Sequence, residues 1–207
     1  MKRILLLFCI ICFGFVNSVS EEIRFSDSQN YFEVIDNSIN GFSFIHNLSN
    51  FSTRRIKTKE GDFIKLIING FVSNNNYGQA ELPVLKKLFN IPFGAEVIIK
   101  IENYEKQTIS LFDYDINLPI FPTQPSLSKG DNVEDVPFIF DKAFYQTNSF
   151  DETPFVTTQL LGKMRGRKIA RLNISPVRYN PVTNELLIIT YIEVKVTFKN
   201  TNHEKDL

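Results

Sequence analysis

Residues able to do covalent or acid–base chemistry are few in this chain. The 207 residues hold two cysteines, Cys9 and Cys12, and two histidines, His46 and His203. Nucleophilic catalysis needs an activated nucleophile with a base in hydrogen-bond reach. Both thiols fall in an N-terminal export signal, so the mature chain is expected to have no cysteine nucleophile, disulfide or thiolate metal site. His46 closes an apolar segment beside turn residues and reads as decoration at a strand edge. His203 sits in a polar tail and reads as solvated. Neither has a second histidine or cysteine at ligand spacing, and there is no Gly-x-Ser-x-Gly elbow or phosphate-cradling glycine loop. Asp113 and Asp115, two apart on an expected strand, would share a face: paired carboxylates or calcium ligands on one reading, a solvated strand end on the other. The expectation is therefore no catalytic residues, no cofactor and no metal site.

Basic chemistry is more concentrated. Lys163, Arg165, Arg167, Lys168 and Arg171 surround Gly162 and Gly166. This reads as a glycine-bent hairpin with a solvated basic tip, or as a contact for an acidic protein surface. No aromatic side chain is interleaved for base stacking, and Lys plus Arg equals Asp plus Glu at 23 each, so neither nucleic acid nor an anionic membrane is an expected partner. Asn47-Leu48-Ser49, Asn50-Phe51-Ser52 and Asn173-Ile174-Ser175 match the N-glycosylation pattern, which matters only in a eukaryotic secretory pathway.

The elements that position these residues are strands. Lys2 and Arg3 precede an apolar run from Ile4 to Val16, which as a helix spans about 20 Å against a ~30 Å hydrocarbon core. With Ser18 and Ser20 before Glu21, residues 1–20 read as a secretory signal peptide, and the protein as secreted or periplasmic after cleavage near Ser20. The composition has 20 Phe, 7 Tyr and no Trp, and favours pleated strands over helices. A hairpin is expected around Asn37 to Gly41, a buried strand over Asp62 to Val72, and an irregular segment over Tyr77 to Asn90. Ala95, Val97, Ile99 and Ile101 alternate with polar residues as a half-buried strand. Tyr104-Glu105 then reads as a turn and Gln107 to Tyr114 as the partner strand. Leu118 to Asp135 is a Pro-rich loop. Further strands are expected near Phe155 to Leu161 and Arg167 to Ile174, and the clearest alternation runs from Leu186 to Phe198. About ten short strands with Pro, Gly and Asn punctuation predict an all-β, antiparallel sandwich or jelly-roll-like domain over residues 21–199, with a polar tail at 200–207.

Two segments carry a family resemblance. The first is Gly78-Gln79-Ala80-Glu81-Leu82-Pro83-Val84-Leu85, followed by Ile91-Pro92-Phe93-Gly94-Ala95-Glu96-Val97. The second runs from Arg165-Gly166-Arg167 through Ile174-Ser175-Pro176-Val177-Arg178-Tyr179-Asn180-Pro181 into the last strand. Together they resemble the N-terminal propeptide domain of gingipain-type (clan CD) cysteine peptidases, which are secreted bacterial enzymes. The resemblance implies a non-catalytic all-β domain that lies against a catalytic domain, keeps the zymogen latent and assists its folding. It also implies a basic residue from a propeptide loop that blocks the specificity pocket. Lys129-Gly130 in the Pro-rich loop is the best placed candidate, with Lys142 and Arg165 as rivals and an ordinary solvated lysine as the plain alternative. Arg165 and Arg167 are candidates for processing or partner contact. The implied partner is the peptidase catalytic domain, in cis in a longer precursor or in trans, because the sequence stops at Leu207 just past the last expected strand. The other reading is a secreted β-sandwich module for a cell-surface or carbohydrate ligand, which would present exposed aromatics in a groove.

Overall fold

The computed structural model describes residues 21–130, 136–164 and 167–200. The expected signal peptide, Arg165 and most of the polar tail lie outside them. The described residues form twelve strands rather than about ten. In chain order these are β1 (Glu21–Arg24), β2 (Tyr31–Ser38), β3 (Gly41–Asn47), β4 (Asn50–Thr58), β5 (Gly61–Ile67) and β6 (Val72–Ser73). There follow β7 (Pro83–Ile91), β8 (Glu96–Ser110), β9 (Val156–Met164), β10 (Arg167–Ile174), β11 (Val177–Asn180) and β12 (Glu185–Lys199). One helical turn, α1 (Lys142–Tyr145), and a 3-10 turn at Leu111–Tyr114 complete the regular structure. All strand pairings are antiparallel, as expected of the sandwich.

The alternating segment from Leu186 organises the molecule. Along one edge β12 pairs with β8 over its whole length; along the other it pairs with β11 and then with β3, beyond which lies β2. Two other sheets pack against it through separate cores, β1-β4-β5 with the first part of β12 and β6-β7-β10-β9 with the later part. β12 serves both cores because of one extra residue. Ile189 stands opposite Lys106 and Tyr191 opposite Glu105, which leaves Thr190 as a bulge. An inserted residue reverses side-chain alternation beyond it. Before the bulge Leu186 and Ile188 enter the core with Ile23, Phe51, Ile64, Val177 and Tyr179. After it Ile192, Val194 and Val196 join Ile189 in the second core, with Phe44, Leu85, Leu172 and Ile174.

Several expectations are corrected. There is no turn at Tyr104-Glu105: β8 runs unbroken through it, and its exposed polar middle is held by the ladder to β12 rather than by burial. Pro83 opens a regular strand, β7, where an irregular segment is predicted. β4 escapes the sequence reading because Arg54, Arg55 and Lys57 mask its alternation, while Phe51 and Thr53 are buried. Asp113 and Asp115 do not share a strand face. Asp113 lies in the 3-10 turn and Asp115 caps it in the left-handed conformation, at φ 57°. His46 is not edge decoration. β3 is an interior strand, so His46 lies between Ile192 and Phe32, 2% exposed, with its ring 5.5 Å from that of Phe71. Among the described residues no helix is long and apolar enough to cross a membrane.

Candidate functional site: a stapled loop bearing Lys129

The Pro-rich loop is held at its base by three independent devices. The first is backbone pairing on both sides of its incoming stem. Ile64 of β5 donates to the Pro119 carbonyl (2.9 Å) and accepts from Phe121 N–H (2.7 Å). On the opposite side, Glu81 N–H donates to the Phe121 carbonyl (2.8 Å), Gly78 N–H to the Thr123 carbonyl (2.8 Å), and Thr123 N–H to the Gln79 carbonyl (2.8 Å). Gly78 also accepts from Asp141 N–H (3.0 Å) on the outgoing stem. A side chain at Gly78 would meet Asp141 N and Ile139 at 3.1 Å, and its φ of 81° suits glycine. The Gly78-to-Pro83 motif is therefore the strip to which both stems of the loop are laced.

The second device is the Gln124 side chain. Its amide nitrogen donates to the Ile139 carbonyl (2.8 Å) while its oxygen accepts from Ile139 N–H (2.9 Å). This pair closes residues 125–138 into a loop across its neck. The third device is aromatic. Phe63 of β5 meets Phe121 from the incoming stem at 5.8 Å, and Phe138 and Phe140 from the outgoing one at 5.8 and 6.3 Å. Phe140 stacks on Tyr145 at 4.4 Å, and the Tyr145 hydroxyl donates to the Ile120 carbonyl at 2.5 Å. Burial pushes the Tyr145 hydroxyl far up from its ordinary value, so it stays a donor at all physiological pH. Asp141 caps α1 by accepting from Phe144 N–H (3.0 Å); this bond, with a second from Gln79, holds its carboxyl below the usual range.

Lys129 and Gly130 form an exposed turn within this loop. Between the loop and the β4–β5 hairpin runs an open groove of about 990 Å³, lined by Lys57, Glu60, Leu127 and Phe138 among others. Lys142, the rival candidate, is exposed at the start of α1 behind the neck. Arg167 opens β10 opposite Met164, on a different sheet from the loop's anchor on β5. Among the described residues no three His, Asp or Glu side chains gather in a metal-holding group.

Residues of the second motif have structural work. Arg178 is 3% exposed, donates to the carbonyls of Ser175, Val177, Thr153 and Pro154 (2.9–3.3 Å), and lies 4.6 Å above the Phe155 ring. It ties the segment before β9 to β11. Tyr179 donates to Asn184 Oδ1 (2.9 Å), and Asn184 in turn to the Ile116 carbonyl (2.9 Å). Sequence reasoning missed both Gln124 and Arg178. A glutamine after Pro-x carries no signal, and an arginine in a strand reads as exposed unless its carbonyl cage is visible.

An antiparallel scaffold that carries one long loop, stapled at the neck and bearing Lys129 in an exposed turn, defines a loop-presenting β-sandwich domain. The family model Propeptide_C25 matches residues 33–206, and the chain belongs to that family, the propeptide domains of gingipain-type peptidases. It is 30% identical over 203 residues, 98% of its length, to Lys-gingipain of Porphyromonas gingivalis, and 24% identical over 132 residues to Gingipain R1 of the same organism. The chain spans 12% of the length of each of these relatives. Among solved structures, one concerned with zymogenic latency of gingipain K from P. gingivalis superposes with a TM-score of 0.83 at 31% identity, covering 88% of this chain and all of that one. A complex of the P. gingivalis RgpB pro- and mature domains shares the fold, with a TM-score of 0.68 at 18% identity over 82% of this chain and 85% of the other.

Proposed function

We propose that this chain is a secreted, non-catalytic propeptide that holds a gingipain-type cysteine peptidase latent and assists its folding, with Lys129 entering the specificity pocket. The observation that carries this reading is the neck of the loop. A flexible loop would lose much of its binding energy to ordering, whereas a loop fixed by backbone pairing, the Gln124 clamp and five aromatic rings has its stems ordered before it binds. A lysine desolvated in a pocket gains free energy only where a buried carboxylate meets it, so the partner pocket should be anionic at its base. Similarity to Lys-gingipain supports a peptidase of lysine preference as that partner. A preformed surface of this kind also offers a template for the catalytic domain as it folds.

The test is inhibition in trans. Purified protein added to a mature lysine-specific gingipain-type peptidase should slow it reversibly. Lys129→Ala should weaken inhibition by roughly 30-fold or more, the loss of a hot spot worth at least ~2 kcal/mol, whereas Lys142→Ala should not. Unimpeded peptidase, or equal inhibition by wild type and Lys129→Ala, would overturn the assignment.

A further inference from the structure

Charge is segregated between the sheets of this electrically neutral chain. β7, β9 and β10 carry Lys86, Lys87, Lys163, Arg167, Lys168 and Arg171 and no carboxylate. β2, β8 and β12 on the other sheet carry seven acidic residues against four basic ones. Within β6-β7-β10-β9 the cations divide between the two faces. Lys168 opposite Lys163, and Lys87 opposite Leu172, lie on the core-facing alternation, where Lys87 is 4.9 Å from the Phe32 ring and Lys168 5.9 Å from that of Phe93. The outward-facing cations are Lys86 and Arg171. Lys86 and Arg171 sit on adjacent strands, opposite Asn173 and Leu88 respectively. Desolvation first, and then the Arg171 guanidinium, pull Lys86 below the ordinary lysine value. Among the described residues no ion pair involves any of these lysines or Arg171.

Alternation gives the outer face its composition. Leu85, Leu172, Ile174 and Val156 enter the core, so Lys86 and Leu88, Arg171 and Asn173, and Thr157 and Gln159 point away from it. Arg171 donates to Gln159 Oε1 at 2.5 Å while its Nε, though buried, has no partner. Apolar surface lies beside these cations: Leu88, opposite Arg171, is 69% exposed, and Leu161, the bulged residue of β9, is 48%. A polyanion would match the cations but leave these leucines in water, and no aromatic side chain on this face could stack a base. An acidic protein surface with apolar ground between its carboxylates matches both.

We infer that the outer face of the β7–β10–β9 sheet is a second docking surface, which receives a carboxylate-bearing patch of the peptidase domain apart from the pocket that takes the loop. This rests on the proposed function and adds where and how the partner is steered. The like charges of Lys86 and Arg171, on adjacent strands of this face, are a cost in the free domain that an acidic partner relieves. Their long-range field should act mainly on the rate of encounter.

Binding of the full chain to a mature gingipain-type peptidase, followed kinetically at several salt concentrations, tests it. The wild-type association rate should fall steeply as salt rises. Lys86→Glu/Arg171→Glu should lower it about tenfold at low salt and flatten the salt dependence, with the melting curve as the check on folding. Lys86→Gln/Arg171→Gln, the milder pair, should move both quantities in the same direction. Unchanged affinity and salt dependence in both pairs, with inhibition still lost in Lys129→Ala, would overturn this surface and leave the proposed function standing. No binding by the wild type would overturn both. Salt-insensitive binding to the peptidase beside tight binding to heparin would assign the face to a polyanion and overturn the inference.

Discussion

His46 shows how far a single residue's role depends on the strand beside it. An imidazole in an interior strand, between Ile192 and Phe32 and against Phe71, is desolvated, and its Nε2 has no hydrogen-bond partner. Burial is the main cause that lowers its pKa from 6.5 to about 4, with the Lys87 charge adding to it. The folded-state value lies below the unfolded one, so below pH 6.5 the unfolded chain takes up the proton first. Stability is therefore full above about pH 6.5 and falls as pH drops from there toward 4. The loss approaches about 3 kcal/mol, at ~1.36 kcal/mol per pH unit. Asp141 acts in a lower window. Its depressed carboxyl contributes stability above its ordinary value of 3.8 and loses it below. Urea unfolding at pH 7 and pH 4.5 should show a lowered midpoint for wild type and a much smaller change for His46→Phe. Equal pH sensitivity in the two would contradict this role for His46.

At the scale of elements, the decisive parts are the neck of the Lys129 loop and the bulge in β12. Gln124→Ala removes both bonds to Ile139, a net loss of about 1–3 kcal/mol at most, while the Phe63 cluster stays in place. Melting temperature should fall by roughly 2–4 °C per kcal/mol lost, and cleavage by an added protease should become faster within residues 125–138 and nowhere else. Cleavage at the wild-type rate would mean the clamp does not hold the neck. This level also shows what a sequence can reveal. Alternation located β3, β5, β9, β10 and β12, because each buries one face or both along a regular period. It found the first half of β8, from Ala95 to Ile101, but put a turn at Tyr104-Glu105, because the strand's exposed middle is specified by pairing with β12, a partner some ninety residues away. The loop tip was legible only through family resemblance: Lys129-Gly130 is a common dipeptide, and nothing local says that Gly78, Gln79 and Glu81 lace its stems. The Thr190 bulge left a trace, since Leu186 to Ile189 are apolar at every position. The change of face shows only when both cores are seen.

As a whole, the molecule is a two-core sandwich with the Lys129 loop on one sheet and the Lys86–Arg171 face on another. The two cores meet along β12, so the strip that anchors the loop and the sheet that carries Lys86 and Arg171 are parts of one packed body. A partner engaging both surfaces therefore meets two fixed points. That geometry suits a domain whose task is to hold another domain in one orientation. The central claim is that Lys129 occupies the peptidase's specificity pocket, and the most direct measurement is the structure of the complex with a lysine-specific gingipain-type peptidase. The account predicts Lys129 Nζ about 3 Å from a carboxylate at the base of the pocket, with the loop neck unchanged from the free domain. A pocket left open, with Lys129 in solvent, would contradict it.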